Sequence, residues 1–341
     1  MFSPNDFEEL LAKIKNNLYI DEVLELSEQN ITDSDGVRLA EAIQENSYIK
    51  TVNLLGNSIK DDGAKALAGL QLESLDLTAN RVGYLGARAL AKAKIERLYL
   101  SANPITQAGA ACFSDTPYIL HLSLRECDIR DGGAKAVFKN KKLQSVDLAS
   151  NNITELGVRE VVNASALYDL NLDQNRIDDN GAMSIAKHKN LKTVSLNSNK
   201  LIEGAKNFSD HPNIIVLNLM HNKITGEGLH DILSNTHIKI LSLAYNQISF
   251  KPEDSVPANV SLRVLGLFKN NISGECANVL KALAKIKTLE KLDLGNNNID
   301  DAGAELLFAY RSISLKEIEL IHNPIQEKRL IKKGKHLSGT R

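Results

Sequence analysis

One pattern of eleven residues, LxxLxLxxNxI, recurs along almost the whole chain. Residues 49–59 read IKTVNLLGNSI, and residues 72–82 keep the same spacing of apolar residues and asparagine. Thirteen residues fill the asparagine position, mostly 23 or 24 residues apart. A regular period this short indicates an array of small units that cannot bury their apolar faces without neighbours. The thirteen residues are Gln29, Asn57, Asn80, Asn103, Cys127, Asn151, Asn175, Asn199, Asn222, Asn246, Asn270, Asn297 and Asn323.

Apolar residues alternate with polar ones just before the asparagine, as at Leu75 and Leu77. Alternation predicts a short strand with one buried face. Because the return connection is short, successive strands must run parallel. The predicted fold class is therefore α/β: a horseshoe-shaped solenoid with a parallel β-sheet on the concave face and short helices on the convex face.

We divide the chain into three segments. Residues 1–20 are predicted to form a capping helix, with a partner-docking helix as the alternative. Residues 21–326 hold thirteen repeats of about 24 residues. Residues 327–341 are predicted to form a C-terminal cap and a basic tail, for which a secretion signal is the alternative to a solvated terminus.

The recurring asparagine follows the strand, where the chain turns inside the stack and its backbone polar groups need partners. A side-chain amide both donates and accepts, so the asparagines are predicted to form a hydrogen-bonded ladder along the array. Cys127 takes one position of that ladder, where a buried thiol can donate weakly. We therefore interpret Cys127 as structural rather than as a nucleophile.

After the turn, most repeats continue with a Gly-Ala pair and a short apolar helix, as at 63–68 and 86–91. Glycine weakens a helix, so its recurrence predicts that a side chain there would obstruct helix packing. The spacing does not match a phosphate-binding loop. Pro252 and Pro257 predict an extended segment instead of a helix in repeat ten. Predicted helix N-caps are Thr32, Thr106, Thr154, Thr225 and Asp300.

The runs GAKALA at 63–68 and GARALA at 86–91 resemble the short Gly-Ala-Leu-Ala form of ribonuclease-inhibitor-like leucine-rich repeats. This resembles repeats of effectors that Legionella and plant-pathogenic bacteria inject into host cells. The resemblance implies a non-enzymatic interaction scaffold, secreted into the host cytoplasm, that binds a host protein through its concave sheet. Some such effectors carry an F-box before the repeats, and the roughly twenty residues before the first repeat are too few for one.

A ubiquitin-ligase-adaptor role and a GTPase-activating role, each through a trans-acting partner, are the alternatives to a scaffold. The second would resemble another leucine-rich-repeat family, in which an exposed arginine such as Arg97 or Arg125 could act in trans.

Composition narrows the partner class further. The formal net charge is -1, from 41 Lys and Arg against 42 Asp and Glu, so no global positive field favours nucleic acid. No stretch is apolar enough for a membrane span, and the first residues do not resemble a secretory leader. Three cysteines favour a reducing cytosol. We expect a monomer with a protein partner and with neither cofactor nor metal.

Repeats nine to eleven differ from the others at the outward positions of their strands. Met, Tyr and Phe suit the centre of a protein interface, and the repeat pattern does not require them there. The alternative is that Val216, Ile240 and Val264 are ordinary strand formers on a solvated sheet. The predicted partner-binding residues are Val216, Met220, His221, Ile240, Tyr245, Val264, Phe268 and Lys269.

Two further groups of polar residues face outward in earlier repeats. Asp147, Asp169 and Asp173 are interpreted as an acidic patch for a basic partner, with calcium as the alternative. The nearest approach to a catalytic triad, His121 with Asp147 and a serine, would lie on an open sheet, so we predict no catalytic residues. The secondary partner-binding candidates are Arg97, Tyr99, His121 and Arg125.

Overall fold

A computed structural model describes residues 4–326, and the predicted C-terminal cap and tail lie outside them. The chain divides into two compact units, Met1–Asn175 and Arg176–Arg341. Within the described range, no helix is long and apolar enough to cross a lipid bilayer.

In the first unit, each repeat supplies one strand, and neighbouring strands pair in parallel in chain order. The strands are β1 (Val23–Glu25), β2 (Thr51–Asn53), β3 (Gln71–Asp76), β4 (Lys94–Tyr99), β5 (His121–Ser123), β6 (Ser145–Asp147) and β7 (Asp169–Asn171). The helices are α1 (Pro4–Lys15), α2 (Asp33–Gln44), α3 (Asp61–Leu67), α4 (Tyr84–Leu90), α5 (Thr106–Ala111), α6 (Arg130–Val137) and α7 (Glu155–Val158), with 3₁₀ turns at Cys112–Asp115 and Val161–Asn163.

The second unit follows the same plan. Its strands are β8 (Thr193–Ser195), β9 (Val216–Asn218), β10 (Ile240–Ser242), β11 (Val264–Gly266), β12 (Lys291–Asp293) and β13 (Glu317–Glu319). Its helices are α8 (Asp179–Ala186), α9 (Gly226–Ile232), α10 (Ala277–Ala284) and α11 (Asp301–Ala309), with a 3₁₀ turn at Gly204–Phe208. The predicted fold class, an open parallel sheet with one short strand per repeat and interspersed helices, is confirmed.

Each ladder asparagine joins its own coil to the preceding one. In Asn57, Oδ1 accepts from the backbone N–H of Ile31 at 2.8 Å, and Nδ2 donates to the carbonyl oxygens of Leu26 and Leu54 at 2.8 and 2.9 Å. One buried amide thus satisfies backbone groups of two coils. The same bonds recur at Asn80, Asn103, Asn151, Asn175, Asn222, Asn246, Asn270, Asn297 and Asn323.

Cys127 supplies only part of this set of bonds. Its Sγ donates to the carbonyl oxygen of Leu100 at 3.2 Å, but a thiol lacks the amide oxygen that would accept from the preceding coil. The N–H of Ile105 bonds instead to the carbonyl oxygen of Asn103 in its own coil, at 2.8 Å. Thr106 then takes a φ of +61° as the first residue of α5. The prediction that Thr106 is a helix N-cap is therefore wrong.

The other predicted caps divide. Thr32, Thr154 and Asp300 accept a backbone N–H at the start of their helices and are confirmed. Thr225 lies at the N-cap position of α9, as predicted, but its side chain makes no capping hydrogen bond.

Several helices are capped from the preceding coil instead. Oδ1 of Asp33 accepts from the N–H of Lys60 and Gly63 at the start of α3, at 2.7 and 2.8 Å. A Cβ on Gly63 would lie 2.8 Å from that oxygen and 3.0 Å from the Ile59 side chain. A side chain at position 63 would thus collide with the Asp33 carboxylate and the Ile59 side chain, and these are the groups behind the predicted obstruction.

At the N-terminus, α1 packs against α2. Phe7, Leu11 and Ile14 are buried, and the Asn46 side chain donates to the carbonyl oxygen of Ile14 at 3.0 Å. The role of α1 as a cap stays a proposal. In repeat ten, the segment between β10 and β11 contains no helix, as the two prolines predicted.

In several repeats, a second set of buried polar side chains holds the corner that leads into the strand, and His211 belongs to it. Its Nε2 lies 3.0 Å from the carbonyl oxygen of His188, and its Nδ1 accepts from the N–H of Asn213 and Ile214 at 3.3 and 3.2 Å. Asn235 makes the equivalent bonds one repeat later. The His211 ring is therefore neutral, with its proton on Nε2, and burial lowers its pKa from the ordinary 6.5.

Removing one amide of the ladder should destabilise the fold. Asn175→Ala leaves the N–H of Ile153 and the carbonyl oxygen of Leu148 without their side-chain partner, at a cost of about 1–3 kcal/mol. Asn278→Ala, at an exposed position of α10, is the matched control and should change stability by less than about 0.5 kcal/mol. Urea unfolding followed by circular dichroism measures both. Equal midpoints for the two variants would contradict the ladder's stabilising role.

His211 should make stability depend on pH. Above pH 6.5 the ring is neutral in both states, whereas below it the unfolded chain takes up a proton that the folded ring resists. Stability should therefore fall as the pH drops from 6.5 towards the lowered folded pKa. The hydrogen bond to the His188 backbone opposes this shift in pKa, and electrostatic interactions with Lys189, His188 and His237 lower the pKa further.

His211→Asn, which imitates Asn235, should remove this part of the pH dependence. Thermal unfolding of both proteins between about pH 7.5 and pH 5 measures it, with the wild type losing more stability than the variant. Parallel curves for the two proteins would refute the assignment.

Candidate functional site

The two residues before each ladder asparagine, together with the strand, fix how side chains line up across repeats. The residue directly before the ladder position has a left-handed backbone in all thirteen repeats, although only Gly56 is a glycine. Its N–H donates to the next coil, as His221 does to the carbonyl oxygen of Ala244 at 2.9 Å. Side chains at equal positions therefore form rows across the sheet, about 4.8 Å apart.

The first row of the predicted partner-binding surface lies on the strands themselves. Val216 pairs with Ile240, and Ile240 pairs with Val264, in the parallel register of β9, β10 and β11. Ile240 is 37% exposed, and the two valines are half-buried. The structure thus brings these three predicted residues together as one apolar row.

The second row consists of the residue that directly follows the last leucine of the strand motif in each repeat. In repeats nine to eleven these residues are Met220, Ala244 and Phe268. Tyr245, which the sequence predicts at this place in repeat ten, lies one residue later, and the buried Ala244 occupies the place instead. Phe268 is half-buried because it lies over Gly295 of the next repeat. A Cβ on Gly295 would come within 2.8 Å of the Phe268 ring and 3.0 Å of the Ile321 side chain.

The third row is aromatic and basic. The rings of His221 and Tyr245 stack with centroids 4.0 Å apart at an angle of 15°. The ring centroids of Tyr245 and Phe268 are 5.6 Å apart, and the two rings are tilted by 52°. Lys269 Nζ lies 4.9 Å from the Tyr245 ring centroid. All three residues of the row have positive φ, at +52°, +57° and +53°. The row and Phe268 form one contiguous cluster.

This surface includes three residues that were not predicted from the sequence. Gly295 makes room for Phe268, Ile321 extends the second row, and Ile215 is 37% exposed directly before β9. Ile215 occupies the same position in its repeat as Lys239 and Arg263 do in theirs, so counting residues along the repeats could have identified it. The Gly295 contact crosses between repeats, and its spacing along the chain carries no signal. We call the three rows with Ile215 the apolar patch.

The secondary candidates lie together on β4, β5 and the following turn. Arg97 pairs with His121 in the sheet register, and Tyr99 is 37% exposed. Arg97 forms ion pairs with Glu96 and Glu73 at 2.7 and 3.4 Å.

Arg125, from the turn after β5, contacts Glu126 and Gln174 at 3.4 and 3.2 Å. Both arginines of the secondary surface therefore already have partners in their own unit, which weakens the case for either as a trans-acting residue.

The predicted acidic patch has a structural explanation in part. Oδ1 of Asp147 accepts from the N–H of Ala149 at 2.9 Å, and burial raises the pKa of this carboxyl group. The carboxylate of Asp169 accepts from the Ser145 hydroxyl at 2.8 Å. Residues 4–326 contain no group of three or more His, Cys, Asp or Glu side chains arranged to hold a metal. The Ser123 hydroxyl bonds to the Ser101 hydroxyl at 2.7 Å, and the Ser145 hydroxyl bonds to Asp169. Neither Ser123 nor Ser145 is therefore joined to His121 as a triad requires.

Comparison with known proteins identifies the repeat. The family model described as Leucine Rich repeat matches eight stretches that together cover just over half of the chain. The chain belongs to the leucine-rich-repeat family. The matched stretches are residues 45–68, 72–91, 117–138, 139–162, 167–186, 210–233, 234–249 and 285–308.

Two solved structures match this chain over most of its length. An internalin from Listeria monocytogenes matches with a TM-score of 0.66 and 19% identity, covering 98% of this chain and 94% of that one. The Arabidopsis receptor kinase HAESA, solved with a peptide hormone and a co-receptor, matches with a TM-score of 0.49 and 18% identity, covering 90% of this chain and 51% of that one. No curated protein sequence matches this chain significantly.

The cysteines of this leucine-rich-repeat protein differ in their environment. Cys127 is 1% exposed, and burial raises the pKa of its thiol to about 12. Burial likewise raises the pKa of Cys276 to about 11. Cys112, at the end of α5, is partly exposed, and burial raises its pKa as well. A thiol with so high a pKa is a poor nucleophile near neutral pH.

Alkylation should distinguish these thiols. Iodoacetamide at about pH 8 should modify Cys112 in the folded protein and leave Cys127 and Cys276 unmodified, because they are buried and protonated. Peptide mass spectrometry measures each site, and alkylation in guanidinium should modify all three. Modification of folded Cys127 as fast as Cys112 would show that its thiol is accessible and ionised.

Proposed function

We propose that this leucine-rich-repeat protein binds a partner protein through the apolar patch on β9, β10 and β11. The observation that carries the proposal is the contiguous cluster of His221, Tyr245, Phe268 and Lys269 beside the apolar row of Val216, Ile240 and Val264. Aromatic side chains with large contact areas dominate the energetics of protein interfaces.

The fixed position of these rings supports binding. Tyr245 is held by a backbone bond to the Phe268 carbonyl oxygen at 2.9 Å and by its stacking on His221. A side chain that is already ordered loses little conformational entropy when a partner docks, so more of the contact energy appears as affinity.

Strand propensity alone gives a weaker account of the surface. It explains Val216, Ile240 and Val264, which are β-branched and lie in strands. It does not explain Tyr245 and Phe268, which follow their strands and form a cluster with rings from different repeats. An exposed apolar cluster of this kind is typical of a contact surface.

We further propose that the partner is a protein of a host cell. This proposal derives from the resemblance of the Gly-Ala-Leu-Ala repeats to those of bacterial effectors. Delivery into a host cell and a location in its cytosol derive from the same resemblance. The similarity to internalin, at 19% identity, is a similarity of fold and adds no argument for this role.

Charged residues in the patch should abolish partner capture. In Met220→Asp, Tyr245→Asp and Phe268→Asp combined, three apolar contacts are lost, and the left-handed backbone at position 245 tolerates aspartate. The measurement is quantitative mass spectrometry of proteins captured from bacterial, plant and animal cell lysates by wild type and variant. Proteins enriched by the wild type should be lost.

The matched control replaces Arg97, Tyr99 and Arg125 of the secondary surface by alanine and should keep the captured proteins. Circular dichroism melts of both variants check that they are folded. Capture that survives the patch variant, or depends on the secondary surface instead, would show the proposed site to be wrong.

A further inference from the structure

We infer that the segment bound at the apolar patch is acidic: a protein segment whose apolar side chains alternate with carboxylates. This inference rests on the proposed function. Cations lie along the two edges of the patch, and the repeats of the patch bring no carboxylate to those edges.

The first edge is the residue directly before each strand. Lys192, Ile215, Lys239 and Arg263 occupy it in repeats eight to eleven. Backbone bonds join them in order: the N–H of Ile215 donates to Lys192, that of Lys239 to Ile215 and that of Arg263 to Lys239, at 2.8 to 2.9 Å. The side chains of Lys239 and Arg263 are exposed. This row runs alongside Val216, Ile240 and Val264, each of which is the next residue in the chain.

The opposite edge is the aromatic and basic row. Lys269 is exposed there, with its ammonium group over the Tyr245 ring. A cation held at a ring face stays available to an anion on its other side. Cations therefore border the patch along both edges.

Repeats eight to eleven form a run of four consecutive repeats without a carboxylate on the sheet face. Elsewhere among the described repeats only repeat two lacks one, and its Lys50 pairs with Glu22 of repeat one. We count five sheet-face positions per repeat: the residue before the strand, its two outward residues and the two residues before the ladder asparagine. In repeats eight to eleven, these described positions hold Lys192, Lys239, Arg263 and Lys269, and neither Asp nor Glu.

Repeats twelve and thirteen end this basic region. There, Lys291 forms ion pairs with Glu317 and Glu319 at 3.1 and 2.6 Å. Arg263 reaches only Glu290, at 3.6 Å, and both of these side chains are exposed. Lys239 has no ion-pair partner among the described residues. Lys239 and Lys269 are thus the cations of the patch that no ion pair among the described residues engages, whereas Arg263 pairs with Glu290.

The arrangement favours a protein segment over nucleic acid. Neutralising a nucleic-acid backbone requires many cations in a continuous track, and four cations separated by apolar rows do not form one. A protein segment with apolar side chains and carboxylates matches both the rows and the edges. Charge of this kind raises the association rate and selects the partner.

A random library of linear peptides displayed on phage tests the inference without a known partner. Peptides enriched on the wild type should be rich in Asp and Glu and contain apolar residues. The combined variant Lys239→Glu, Arg263→Glu and Lys269→Glu should bind the enriched peptides about tenfold more weakly or worse, as measured by fluorescence anisotropy. Affinity for the wild type should also fall between about 50 mM and 500 mM sodium chloride.

The matched control carries the same change in net charge away from the sheet: Lys187→Glu, Lys251→Glu and Lys287→Glu, all at exposed positions of the same unit. It should keep the wild-type affinity. Equal weakening by both charge variants would mean that only net charge matters and would overturn the inference.

The outcomes separate the inference from the proposed function. Enriched peptides that are neutral or basic, yet are lost with Met220→Asp, Tyr245→Asp and Phe268→Asp, would overturn the acidic partner and keep the patch. Acidic peptides insensitive to that variant would overturn both. A failure to enrich any peptide would overturn the inference. A random single-stranded RNA that binds more tightly than the enriched peptides would also overturn it, if the combined Lys239→Glu, Arg263→Glu and Lys269→Glu variant abolishes that binding.

Discussion

In most repeats of this protein, a single side-chain amide links the coil to the one before it. The side-chain oxygen of Asn57 accepts from an N–H of the preceding coil, while its side-chain nitrogen donates to a carbonyl oxygen of each of the two coils. Both groups are needed because the turn beside the strand exposes donors and acceptors to an interior without water. The amide therefore fixes the separation and register of adjacent coils, and the rows of side chains on the sheet follow from that register.

The helix side is constrained in a different way and leaves less freedom to vary. Asp33 and Asp61 each cap the following coil's helix with one carboxylate oxygen. Gly63 and Gly86 lie where a Cβ would collide with those oxygens, at 2.8 and 2.9 Å. On the sheet face, apolar, polar and charged residues differ from repeat to repeat at the outward positions of the strands. A change of side chain there leaves the contacts of Asp33 and Asp61 with the helix glycines in place.

The sequence predicts what depends on periodicity. Strand register and the ladder positions follow from counting residues, and the parallel sheet follows from the short return connections. The helix caps were less predictable, because a carboxylate such as Asp33 acts on a helix about one repeat away. The left-handed residue before each ladder asparagine also gave no signal, since Tyr245 and Lys269 occupy a conformation for which glycine is the usual indicator. At the candidate site, the apolar row was predictable, whereas the contact of Phe268 with Gly295 depends on side-chain direction across two repeats.

Charge on such a sheet must also be divided into what the fold uses and what a partner can meet. In many repeats, the middle outward residue is an Asp or Asn whose oxygen accepts the N–H two residues later, as Asp76 does from Thr78 and Asp293 from Gly295. Those carboxylates hold the turn, so an acidic column there is not by itself a recognition surface. Repeats ten and eleven have Ser242 and Gly266 at this position. A partner approaching them removes no carboxylate from water, so its own carboxylates meet only the cations at the two edges. The same substitution that removes the acidic column thus leaves the apolar patch open to an acidic segment.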